Sequence, residues 1–111
     1  MSLQKYLHYA KILLQEFTGF DWDKGNATKN EKHGVSKAEI EEFFKLQVYI
    51  FEDLKHSDHE QRFLAFGESA NGKHMVVSFT IRMDLVRPIS ARYMNKREVE
   101  KYEKEIAKIQ D

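Results

Sequence analysis

Cysteine is absent from this chain of 111 residues, proline occurs once, and 18 basic side chains cancel against 18 acidic ones. Without cysteine there is no disulfide framework, no thiol nucleophile and no thiolate metal site, a pattern that suits a reducing compartment. A formal net charge of zero excludes a protein that holds nucleic acid by bulk charge alone, so any such binding must come from local asymmetry. No apolar run approaches the roughly 18 residues that span a bilayer, and the N-terminus lacks the cationic start and apolar block of a secretion signal. A cytoplasmic protein without membrane contact is expected. Repeats, low-complexity segments, phosphate-cradling glycine loops, nucleophile elbows and dinucleotide fingerprints are missing too.

What is present is enough apolar material, 41% of residues, for one core in one domain. Charge is segregated along the chain. Between residues 39 and 60, Glu39, Glu41, Glu42, Glu52, Asp53, Asp58 and Glu60 face only Lys45 and Lys55. Between 73 and 97, Lys73, Arg82, Arg87, Arg92, Lys96 and Arg97 face only Asp84. The C-terminal half is where a polyanion is tolerated.

Leu3, Tyr6, Leu7, Ala10, Ile12, Leu14 and Phe17 recur at helical spacing, with Gly19 as a stop, so residues 1–19 are expected to be a helical extension. A second helix is expected from Lys24 to Lys32, ended at Gly34, and a third follows the Ser36–Glu39 capping pair. Two helices around a tight glycine turn suggest a DNA-binding helix-turn-helix, but Glu39, Glu41 and Glu42 on the second would repel phosphates. Strands follow at "QVYIFED", "QRFLAFGES", "KHMVVSFTI" and "LVRPISA", and a last helix from Lys96 to Ile109 is capped by Asn95 and Glu98. The expected class is α+β: a small antiparallel sheet of three to four strands packed with helices.

Treating Asn71-Gly72 as a two-residue turn puts Leu64, Phe66, Met75, Val77 and Phe79 on the core face. Phe63, Ala65, Gly67, Val76, Ser78 and Thr80 then form an open face. A two-residue turn at Met83-Asp84 sets Arg82 and Arg87 beside Thr80 on that face. The same counting sends Arg62 toward the core and gives Arg92 the opposite parity, at the strand end. Pro88, with no N–H to donate, marks an edge or an irregular strand.

"FDWD" at 20–23, Asn30 with "KHGVS" at 32–36, "EQRFLAFG" at 60–67 and "RMDLVRPISAR" at 82–92, followed by Tyr102, resemble in order and spacing the BrnT family of toxins. The resemblance covers residues 20 to about 103, within an expected single domain at 20–111. It implies a RelE-like fold, a metal-independent ribonuclease that arrests translation, and a BrnA-like antitoxin with a ribbon-helix-helix domain. DNA contact would then be only indirect, through that antitoxin, in a heterotetramer. The chain departs from the family pattern at Asn26, where lysine is usual, at Met83, where glycine is usual, and in its N-terminal extension.

Cleaving RNA without a metal requires a base for the 2′-hydroxyl, donors for the charge growing on phosphorus, and a proton for the leaving 5′-oxygen. Arginine suits the second task because its planar fork donates to two phosphate oxygens and stays charged. Arg82 and Arg92 are therefore candidates for holding the scissile phosphate, and Lys32, Arg87, Lys96 and Arg97 for holding the RNA backbone. His33 is a candidate acid or base, with a dipole-stabilising helix end as the equal alternative. Glu60 is the alternate base, with Arg62 near it. His56, Asp58 and His59 in "KHSDHE" could meet a metal, but a polar connection is the stronger reading, and neither metal nor cofactor is expected. Trp22, Phe43 and Phe44 are read as core or antitoxin contacts. The competing function is a catalytically inactive protein- or nucleic-acid-binding module of the same fold.

Overall fold

The computed structural model describes residues 18–31, 33–46 and 48–110; the expected helix at 1–17 and the candidate Lys32 lie outside them. The elements are β1 (Gly19–Phe20), α1 (Lys24–Glu31), α2 (Lys37–Lys45), β2 (Val48–Glu52), a short 3₁₀ turn (Leu54–His56), β3 (Arg62–Glu68), β4 (His74–Arg82), β5 (Leu85–Tyr93) and α3 (Lys96–Gln110). They form an α+β domain around one five-stranded sheet of order β1-β5-β4-β3-β2. The expectation of three to four antiparallel strands is corrected here. β1 adds a fifth strand, parallel to β5, with Gly19 opposite Leu85 and Phe20 opposite Val86. Thr18 N–H also donates to Asp84 O at 2.7 Å. Two residues are too short to show a strand period.

The helix ends form as their sequences dictate. Gly34 ends the turn after α1 with φ +77°, where a Cβ would be strained. Ser36 Oγ accepts the Glu39 N–H at 3.1 Å and starts α2. Asn95 and Glu98 form the full reciprocal cap of α3, with Glu98 N–H donating to Asn95 Oδ1 at 2.9 Å and Asn95 N–H to Glu98 Oε1 at 3.0 Å.

Ile40, Phe43 and Phe44 from α2 are buried against Phe63, Met75, Val77 and Phe79, with Phe44 edge-on to Phe79 at 5.1 Å. The phenylalanine pair is therefore core. The glutamates of α2 are engaged as well: Glu41 accepts from Trp22 Nε1 at 3.0 Å, and Glu39 from Tyr93 OH at 2.5 Å. That is how so acidic a helix packs in a domain.

The β3–β4 connection departs from the two-residue reading. Ser69 N–H donates to Lys73 O at 2.8 Å and Gly72 N–H to Ser69 O at 2.9 Å, with Gly72 at φ +82°. This is a three-residue loop ending in a left-handed glycine. The register becomes Gly67 opposite Met75, Ala65 opposite Val77 and Phe63 opposite Phe79. One residue of slip flips a whole strand. Phe63, Ala65 and Gly67 face the core, while Arg62, Leu64 and Phe66 share the other face with Val76, Ser78 and Thr80.

The β4–β5 turn is the expected two-residue one, with Arg82 opposite Leu85 and Met83 and Asp84 at φ +52° and +65°. Along β5 the pairing shifts between Phe79–Pro88 and Ser78–Ser90, leaving Ile89 as the extra residue of a bulge. Proline does mark the irregularity. The bulge also overturns the parity expected of Arg92, which pairs with Val76 and so returns to the face of Arg87.

Met83 is 93% exposed in a left-handed position that penalises a side chain by about 1–2 kcal/mol. Replacing it with glycine forfeits about 0.5–1 kcal/mol of chain entropy. Met83→Gly should therefore raise unfolding stability by about 0.5–1 kcal/mol. A denaturant midpoint that does not rise, at unchanged slope, would refute that assignment of strain.

Candidate active site

In-register pairing about Thr80 assembles the site. Arg62 lies opposite Thr80 from β3, and Arg87 lies opposite Thr80 from β5. Arg82 follows two residues along β4 on the same face. Thr80 is itself buried, its hydroxyl donating to Gln61 O at 2.7 Å, so its short side chain leaves room between the flanking arginines. The three guanidiniums line a cleft of 360 Å³ with Glu60, Asp23, Asn26 and Pro88.

Two of these cations already have carboxylate partners. Arg82 grips Glu60 with both arms, Nε to Oε2 at 3.1 Å and Nη2 to Oε1 at 3.2 Å. That donation, aided by the charges of Arg62 and Arg87, holds the Glu60 carboxyl below its ordinary range. Arg87 is only 18% exposed and meets Asp23 at 2.6 Å and Asp21 at 3.5 Å. Arg62 differs: among the described residues its guanidinium makes no hydrogen bond or ion pair of its own. The cleft thus holds one guanidinium without an ion pair among the described residues and two that are bound to carboxylates.

Asp21, Asp23 and Asn26 were not legible as site residues. Asp23 N–H donates to Asn26 Oδ1 at 2.7 Å and Asn26 N–H to Asp23 Oδ1 at 2.9 Å. The buried Asn26 amide also donates to Asp21 O and, at 2.9 Å, to Pro88 O. The start of α1 is thereby pinned to the β5 bulge, leaving the second oxygen of Asp23 for Arg87. The Asn26 N–H, followed by Arg87, holds the Asp23 carboxyl below its ordinary range. An aspartate three residues before an asparagine at a helix start was the available signal.

Other candidates stand apart. Arg92 pairs with Val76, four residues along β4 from Thr80 and so about 13 Å from the cleft. Both its arms donate to Glu98 at 2.8 Å, which clasps the N-terminus of α3 to the sheet. Lys96 and Arg97 are exposed on the first turn of that helix. His33 is exposed in the turn after α1 and is not among the residues lining the cleft. Tyr102 is half-buried against Tyr49 and His74. Among the described residues no three histidines, aspartates or glutamates converge as a metal site, and no helix is long and apolar enough to cross a membrane.

Comparison with known proteins gives one finding. A family model for the ribonuclease toxin BrnT of type II toxin-antitoxin systems matches residues 22–98, the stretch from Trp22 to the Arg92–Glu98 clasp. A search of curated proteins returns no match.

The clasp has a pH signature. Donation from Arg92 lowers Glu98 from 4.5 to about 2, so its stabilising contribution is complete above pH 4.5 and is lost as pH falls toward 2. Glu98→Gln should lower stability at neutral pH and flatten its decline between pH 4.5 and 2. An unchanged acid slope in that variant would show that the clasp contributes nothing.

Proposed function

This chain belongs to the BrnT family of ribonuclease toxins of type II toxin-antitoxin systems, and from that premise we propose that the arginine cleft cleaves RNA without a metal ion. The observation that carries the reading is the gathering of Arg62, Arg82 and Arg87 with Glu60 around one cleft. A phosphodiester seated there exchanges with Glu60 for the fork of Arg82 and meets Arg62 directly. Arg87, held by Asp21 and Asp23, contributes its charge from a fixed position. Glu60, released from Arg82, takes the proton of the 2′-hydroxyl. The 2′-oxygen–phosphorus bond forms as the phosphorus–5′-oxygen bond breaks, and the leaving oxygen takes a proton from water. The products are a 2′,3′-cyclic phosphate and a 5′-hydroxyl. Rate rests on orientation and on charge aimed at the phosphorane rather than on a tuned histidine. Arg92 acts in this scheme by holding α3.

RNA cleavage would arrest translation in the cytoplasm, and a RelE-like origin would account for the sheet-and-helix layout. A BrnA-like antitoxin with a ribbon-helix-helix domain would silence the cleft by offering acids to its arginines, within a heterotetramer that touches DNA through the antitoxin. The closed ion pairs of Arg82 and Arg87 favour one competing reading, an inactive binding module.

Cleavage of purified RNA in EDTA separates the two. Wild type should cleave and leave cyclic phosphate ends. Arg82→Ala should lose about 100-fold or more with its melting temperature preserved, since Arg82 is half exposed. Full activity in the variant, or dependence on added metal, would sink the mechanism, and a folded wild type without cleavage would favour the binding module.

A further inference from the structure

The "KHSDHE" stretch takes no part in the cleft just described, yet it forms a pocket that shares two walls with it. Lys55, His56, Asp58 and His59 line a second depression of 210 Å³ together with Glu60 and Arg62, the same Glu60 and Arg62 that line the arginine cleft. The two depressions adjoin through these shared residues.

The loop is preorganised. Asp53 N–H donates to Arg62 O at 2.8 Å across its base. Ser57 Oγ donates to Asp53 O at 2.6 Å and accepts the Arg62 N–H at 3.0 Å. His56 is fixed through Nδ1 to Asp53 Oδ2 at 2.9 Å. Lys55 and His59 are exposed and carry no side-chain partner among the described residues. Of the two acids in the depression, Glu60 is bridged by Arg82 and also feels the charge of Arg62, and Asp58 is exposed. A fixed hollow that offers the unpaired side chains of Lys55 and His59 beside a phosphate cleft matches the next phosphate of the same strand.

We propose that the 53–61 loop is a second phosphate subsite, in which Lys55 and His59 hold the phosphodiester adjoining the one in the arginine cleft. This rests on the cleft being an RNA site. It makes the preferred substrate a single strand extending past the cleaved bond on the Arg62 side, since a duplex would not enter two hollows that share a wall.

The test is the salt dependence of binding to a fluorescent 2′-O-methyl RNA of about ten nucleotides, which has no free 2′-hydroxyl to cleave. For single strands each phosphate contact contributes about 0.7 to the slope of log affinity against log salt. Lys55→Ala should therefore shrink the slope by about 0.7, and the Lys55→Ala/His59→Ala double variant should bind about tenfold more weakly at low salt. Both residues are exposed, so the melting temperature should not move. An unchanged slope and affinity, with wild type binding normally, would overturn the subsite and leave the cleft assignment intact. A wild type that binds no RNA would overturn both.

Discussion

Strand register about Thr80 is the constraint on which the site depends. A residue small enough to be buried between two arginines, with its hydroxyl satisfied by Gln61 O, lets β3 and β5 present Arg62 and Arg87 side by side across β4. Three like charges on adjacent positions repel, and cross-strand repulsion opposes the sheet. The fold counters this with acids brought from elsewhere. Glu60 arrives on the loop before β3, and Asp21 and Asp23 arrive on the segment between β1 and α1. The parallel addition of β1, two residues long, is what carries those aspartates to β5.

Electrostatics then divide the arginines by purpose. Arg82 is half exposed and paired with a carboxylate that is itself part open, so its partner can be exchanged at little cost in a well-screened setting. Arg87 is largely covered and holds two aspartates, which makes it a fixed source of charge. Arg92 is spent on α3. Arg82, Arg87 and Arg92, spaced at five-residue steps, thus resolve in the proposed scheme into an exchangeable donor, a fixed donor and a structural clasp. Arg62, which lies outside that motif, completes the cleft.

Local chemistry was legible in the sequence wherever one residue decides the backbone. Gly34, the Ser36 and Asn95 caps, the Met83-Asp84 turn and the irregularity at Pro88 each follow from a side chain and its immediate neighbours. Long-range parity was not. The Asn71-Gly72 pair marks a turn under either loop length, yet one extra residue exchanges the faces of Phe63, Ala65 and Gly67 with Arg62, Leu64 and Phe66. The bulge at Ile89 does the same to Arg92. The first slip turns Arg62 from the core side into the cleft, and the second turns Arg92 onto the cleft's face, four residues along β4 from Thr80 and so away from the cleft itself. Asp21 and Asp23 were hidden for a different reason: their partner Arg87 is more than sixty residues away, and nothing local announces the pairing.

In the proposed scheme Arg62, Arg82 and Arg87 converge on one phosphate while Arg92 does not. Arginine Nε–H resonances of the labelled chain, followed by NMR during titration with a non-cleavable RNA, test it most directly. The signals of Arg62 and Arg82 should move together and furthest, that of Arg87 less, and that of Arg92 should stay in place. Movement of Arg92 with the cleft signals unmoved would contradict it.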